Sequence, residues 1–399
     1  MSSTIKKIEK CISKQSKRLN LCDSDFSIDS PEFQLLKQCT HLTELYLGNN
    51  DWERLDGLET LTELRHLCLG NSWLESVEGL GGLKKLKRLD LFGNSIQKLR
   101  GLESLTGLRE LDLSSNNIHR IEGLDKLEAL TKLNLSQNRI QETKGLDKLT
   151  SLTHLDLRFN KISEIKGLEN LAKLKRLDLS DNRILSIRGL ESLTALRELN
   201  IRSNGIQKIE GLENLKGLRE LYLGDNLIQK AEGLETLKKL ERLDLSGNRI
   251  QKVEGLEQLH ALTYLNLDFN KINRLEGLEN LRKLEALKVK GEAIVNIEAI
   301  DPILNTGQPL DFQHTTSRVL ENESTPPHHG SQDINAFFEL DCPKLRDEYL
   351  RTIAQWPEFS YDRYYWQVVK SFTGEVKRLY MDWLIRNYRE RKPLPEESV

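Results

Sequence analysis

No proline falls between Pro31 and Pro302. Proline removes a donor from a sheet ladder, so a stretch of this length without it suits an uninterrupted stack of strands. Cysteine is scarce. Cys11, Cys22, Cys39, Cys68 and Cys342 are odd in number and scattered, with no CxxC or HxxxH pair. Neither a disulfide framework nor a zinc site is expected from them, and no cofactor is expected. No apolar run approaches the ~18 residues a membrane helix needs, so stable membrane insertion is not expected. The amino-terminal MSSTIKKIEKCISKQSKR is basic but lacks an apolar core, and does not read as a secretory signal. An excess of one charge is also missing: 59 Lys plus Arg face 61 Asp plus Glu, a net charge of -2. A dedicated nucleic-acid binder usually carries a basic excess, so no nucleic-acid partner is expected. GxGxxG, GxxxxGK[ST], GxSxG and HExxH are absent, and the histidines form no catalytic constellation. The expectation is a soluble, reduced, cytoplasmic chain that is not an enzyme.

What fills the 399 residues is a repeat. LRELDLSSNNIHRIEGL begins at Leu108, LTKLNLSQNRIQETKGL at Leu130, LTHLDLRFNKISEIKGL at Leu152 and LKRLDLSDNRILSIRGL at Leu174. The step is 22 residues each time. The register extends from Leu42 to a last unit starting at Leu284, twelve units without insertion or deletion. Within LxxLxLxxNxIxxIxGL, the LxL pair alternates apolar and polar as a half-buried strand does. The Asn that follows (Asn94, Asn116, Asn138, Asn160 and onward to Asn270) sits where the chain turns. A short amide there can bond the backbone of its own and the next coil, forming a ladder. The Gly before the last Leu, Gly57 and every 22 residues to Gly277, marks a tight turn toward the convex side. One unit cannot bury its own leucines, but stacked neighbours can. Twelve strands ~4.8 Å apart give a concave sheet roughly 50–60 Å long.

The fold class expected is α/β: a solenoid with a parallel β-sheet on its concave face, short helices or turns on its convex face, and a small helical carboxy-terminal segment. Residues 1–41 read as an amino-terminal cap, with Ile5, Ile8 and Ile12 at helical spacing after Thr4 and a degenerate first strand around Leu19 and Leu21. Residues 42–300 are the twelve repeats. Residues 301–335, rich in Pro, Ser, Thr, Asn and Gly, read as a linker. Residues 336–399 hold more than half of the aromatics and read as an aromatic-rich helical segment. That segment could cap the open edge of the last repeats, form a separate partner-binding module, or lie on a membrane surface.

These units resemble the 22-residue leucine-rich repeat class typified by the regulatory subunit of protein phosphatase one. NNIHRIEGLDKLEALTKL and NGIQKIEGLENLKGLREL carry the resemblance. It implies protein binding on the concave face without catalysis: a protein-protein interaction scaffold or adaptor. The alternative it implies is a regulatory subunit of a phosphatase or other signalling enzyme. The partner is expected to be a protein, and the chain a monomer.

The side chains of the concave face occupy the x positions of LxxLxLxx. The middle strand position puts Asp90 beside Asp112 and Asp156 beside Asp178. These pairs could form an acidic ladder for a basic partner or a cation, or be plain consensus balanced by the flanking Arg88, Lys132, His154, Arg176 and Arg242. Departures from consensus carry more information. Phe92, Phe159 and Phe269 stand where Ser, Gly or Asp is usual; Tyr46, Tyr222 and Tyr264 replace small or charged residues; Arg158 and Arg202 replace Ser or Gly. Exposed Tyr, Phe and Arg dominate interface energetics, so these eight residues are the candidate partner contacts. Neutral drift and contact with the chain's own carboxy-terminal segment are the competing readings. Trp52 takes an Ile core position and reads as core, whereas Trp73 precedes a core position and reads as exposed.

Overall fold

The computed structural model describes residues 2–24, 27–52 and 54–289. Among the described residues, thirteen three-residue strands form one parallel sheet in which every strand pairs with its neighbours in sequence. β1 spans Arg18–Asn20, and from β2 (Glu44–Tyr46) to β13 (Ala286–Lys288) a strand begins every 22 residues. The registers follow the repeat: Leu45 stands opposite Leu67, and Leu221 opposite Leu243. Their side chains are buried, and the polar residues on either side of each one face the concave surface. The degenerate strand expected around Leu19 is β1, with Leu19 opposite Leu45.

The amino-terminal helices cover the first edge. In α1 (Ser3–Lys14) the cap is Ser2, whose hydroxyl accepts from Ile5 N at 3.1 Å, so Thr4 lies inside the first turn. Ile8 and Cys11 are buried on the apolar face. In α2 (Pro31–Leu36) Ser30 caps the Phe33 amide, and Pro31 takes the first turn, where its missing N–H is no loss. Phe33 and Leu36 join the core. An edge strand left open would be a template for aggregation, and these helices occupy that end.

On the convex side the expected helices or turns resolve into turns. From β2 to β13 the one helical element among the described residues is a 3-10 turn at Leu58–Thr60. Gly145 shows why glycine is required: φ is +96°, and a Cβ would collide with the Ile121 carbonyl oxygen of the preceding coil. The Glu two residues after this glycine position has a role that the sequence reading missed. Its carboxylate accepts from the glycine amide, as Glu103 does from Gly101 N at 2.9 Å.

The asparagine ladder forms, but it runs to the preceding coil, not the next. Asn116 donates to Leu113 O of its own coil and to Leu91 O of the one before, each at 3.0 Å, while its Oδ1 accepts from Ile96 N. The same set recurs at Asn138, Asn160, Asn182 and beyond. Turning carbonyls after each strand would otherwise be buried without donors. The expected linker, the aromatic segment and the end of the last unit lie outside the described residues.

Candidate functional site

The concave sheet carries a groove of about 340 Å³, open to solvent, running from Arg88 to Glu198. Its floor is the row Asp90, Asp112, Asn134, Asp156 and Asp178, one residue per strand. Its wall is the row Arg88, Glu110, Lys132, His154, Arg176 and Glu198, two residues earlier on each strand. The floor and wall combine differently at the two ends.

At the amino-terminal end the groups satisfy one another. In β3 (His66–Cys68), His66 sits 2.8 Å from Asp90 Oδ2 through Nε2 and 3.2 Å from the Tyr46 hydroxyl through Nδ1. In β4 (Arg88–Asp90), Arg88 Nε donates to Asp90 at 3.2 Å. Burial alone would raise the Asp90 carboxyl, but His66 and Arg88 outweigh it and hold it below the usual range.

At the centre the balance reverses. β5 (Glu110–Asp112) and β8 (Arg176–Asp178) use the same device: a Ser two residues on donates its amide and hydroxyl to the aspartate, Ser114 to Asp112 and Ser180 to Asp178. Asn134 and Asn200 add a side-chain amide to each. In β7 (His154–Asp156) the Ser is replaced by Arg158, whose Nε pairs with Asp156 at 3.2 Å. That pair does not compensate. Burial first, then the neighbouring Asp178, push the Asp156 carboxyl up to about 6. On the same strand burial, then Arg176 and Lys132, push the His154 imidazole down. Lys132 is engaged by Glu110 at 2.8 Å and Arg176 by Glu198 at 2.9 Å, so the nearby cations are committed elsewhere.

The eight residues singled out from the sequence are spread along the sheet and do not gather at one point. Tyr46 is half-buried, its hydroxyl held by Glu44 and His66 and its ring under the Arg18 guanidinium at 4.7 Å. Phe92 lies over Gly70 and is 38% exposed. Arg158 and Phe159 follow Asp156 on the central coil; Phe159 has left-handed φ, +54°. Arg202 pairs with Asp225 at 2.6 Å. Tyr222 donates to Glu220, and burial with that carboxylate pushes its hydroxyl up to about 12. Tyr264 carries the Arg242 guanidinium 4.4 Å above its ring. Phe269, at φ +57°, is 57% exposed. The left-handed position of Phe159 and Phe269 is shared by Asn49, Asn71, Gly93, Ser115 and their equivalents, so it belongs to the coil geometry. A bulky residue there is disfavoured.

Among the described residues, no group of three or more His, Cys, Asp or Glu could hold a metal ion, and no helix is long and apolar enough to cross a membrane. A stack of short coils, locked by buried amides and presenting a polar concave sheet, defines a repeat solenoid. The chain belongs to the leucine-rich repeat family. The family model described as Leucine Rich repeats (2 copies) matches nine overlapping windows from 62–104 to 238–283, more than half of the chain. No curated protein matches. Solved structures do. An internalin of Listeria monocytogenes is 25% identical over 72% of this chain and 94% of its own, with a TM-score of 0.63. A leucine-rich-repeat protein of Leptospira interrogans is 25% identical over 71% of this chain and 87% of its own, with a TM-score of 0.56. A chain of the Toll–Spatzle complex of Drosophila is 26% identical over 61% of this chain and 36% of its own, with a TM-score of 0.54. Leucine-rich-repeat proteins generally mediate protein-protein interaction, and relatives with this fold are typically not enzymes.

Proposed function

We propose that this protein is a non-catalytic scaffold or adaptor that holds a protein partner in the concave groove, with a basic group of the partner against Asp156 and Asp178. The observation that carries this reading is the placement of Asp156: it stands half-buried beside Asp178 on the groove floor, while Lys132 and Arg176 are engaged by Glu110 and Glu198. The Asp156 carboxyl is pushed up to about 6, chiefly by burial and by Asp178, and an incoming cation relieves that repulsion. Arg158 and Phe159 follow on the same coil and flank the spot with residue types that anchor interfaces. The sheet is rigid, so little ordering entropy opposes binding. The alternative, a regulatory subunit of a phosphatase or other signalling enzyme, rests on the repeat consensus alone.

The test compares the full chain with Asp156→Lys/Asp178→Lys as baits, and measures captured partners by mass spectrometry. The expected result is a partner held by the first and lost by the second, with both baits showing the same circular dichroism. A partner held equally by both overturns the reading. The anion is the binding form of Asp156, so affinity should rise as pH increases through about 6.

A further inference from the structure

The ladder has one break among the described coils. Ser72 stands where the other coils from β2 (Asn50) to β12 (Asn270) have Asn, and its hydroxyl reaches only Gly70 O, at 3.2 Å. The Leu47 carbonyl, which an amide at 72 would bind as Asn94 binds Leu69 O, receives the indole N–H of Trp52 instead, at 3.2 Å. The Trp52 amide in turn donates to Ser72 O at 3.2 Å. Trp52 is therefore a structural patch, 1% exposed.

The next residue is different. In the coils that follow, Ser95, Asn117 and Arg139 donate their amides to the preceding coil; Trp73 makes no such bond among the described residues. It has left-handed φ, +59°, and is 74% exposed. Both features disfavour tryptophan: the backbone prefers Gly or Asn, and the indole is left in water. Packing within the described residues compensates neither. Trp73 lines an open cleft of about 560 Å³ with Trp52, Asp51 and Glu75. Asp51 and Glu75 are exposed and have no ion-pair partner among the described residues. The cleft lies on the rim that follows the strands, outside the concave groove.

We propose that Trp73, Asp51 and Glu75 form a second binding site, which takes an arginine side chain of a protein partner. A guanidinium stacks on an indole face and offers a fork of donors to carboxylates, so one side chain meets all three residues. An anion would be repelled by both carboxylates. A purely apolar group would strip water from them without replacing its hydrogen bonds.

The experiment titrates the full chain, labelled with nitrogen-15, with an acetylated and amidated Gly-Gly-Arg-Gly-Gly peptide and its citrulline counterpart. The readout is the Trp73 indole N–H signal together with the backbone amide signals of Asp51 and Glu75, which also report on the Trp73 variants. The arginine peptide should shift it saturably and the neutral citrulline peptide should not. Asp51→Asn/Glu75→Gln should weaken binding at least about tenfold. Trp73→Gly should abolish it with Tm within about 2 °C of the parent or above it, because glycine accepts the left-handed backbone. Trp73→Asn, which also tolerates that backbone, serves the same purpose if the glycine variant misfolds. Equal shifts with citrulline, no shift with arginine, or undiminished arginine binding in the Trp73 variants would each overturn the proposal.

Discussion

Strands β4 and β7 carry aspartate at the same register position, in RLD and HLD, with the same carbonyl ladder beneath. Asp90 is pulled below the usual carboxylate range and Asp156 is pushed up to about 6. Both are substantially buried, so burial is not the difference. Asp90 receives a histidine from the preceding strand and an arginine from its own. Asp156 has Lys132 at the place corresponding to His66, but Glu110 takes that lysine, and Arg158, which pairs with Asp156 at 3.2 Å, does not offset burial and Asp178. A repeated scaffold thus fixes where a side chain stands, while its charge state depends on which neighbours are already engaged. The amino-terminal region is closed on itself, and the central region is left needing a cation.

The largest effect that separates the regions is expected at Asp90. Asp90→Asn leaves His66 and Arg88 beside a neutral amide and should destabilise the fold by about 3 kcal/mol, as loss of one partner of a largely buried pair does. Urea unfolding at neutral pH measures it. Equal stability of variant and parent would mean that the network is ornamental. The sign of its pH dependence follows from the lowered carboxyl. The stabilisation from Asp90 is present above the unfolded value of about 4 and is lost as pH falls below it.

Asp156→Asn should act in the opposite direction, with a gain of about 2 kcal/mol near pH 7. The raised folded value means that the ionised carboxylate opposes folding above about 6, and the penalty is relieved as pH falls from there toward about 4. The two-unit displacement corresponds to roughly 3 kcal/mol, reduced because Arg158 loses its partner in the variant. The gain should therefore fade by about pH 4. A variant that is less stable at neutral pH would show that the Arg158 pair outweighs the repulsion from Asp178, and would remove the main support for a cation-seeking groove.

The solenoid was legible because each coil states its own requirements. Leu45 and Leu67 are buried for the same reason, Gly145 meets the backbone of the coil before it, and Asn116 bonds carbonyls a fixed distance away. The site was legible only in part. Asp90 and Asp156 are the same letter in the same column, and the local difference, Arg88 against His154 two residues before, does not by itself set their charge states. Their difference depends on diagonal neighbours and on competition for Lys132, which becomes visible only once registers and distances are known. The aromatic departures are visible in the sequence, and so is their spread from Tyr46 to Phe269 along the sheet. The exposed Trp73 was read correctly; the patch made by Trp52 was not, although Ser72 in an asparagine column was its signal.

That patch gives the smallest and most specific test of the two regions. In the central coils the buried amide of the following coil donates to the carbonyl after each strand, whereas at Leu47 the Trp52 indole of the same coil does. Trp52→Leu alone removes the indole donor and the ring's volume, while Ser72→Asn alone sets an amide against an indole that already occupies Leu47 O. Each single change should destabilise. The double change restores the arrangement of the neighbouring coils, Leu at the core position and Asn at the ladder. It should be more stable than the sum of the singles by about 1 kcal/mol, the coupling expected between groups that share one hydrogen-bond acceptor. Strict additivity in a double-mutant cycle would show that the indole fills space near Leu47 without replacing the missing amide, and the ladder would then be truly interrupted at that coil.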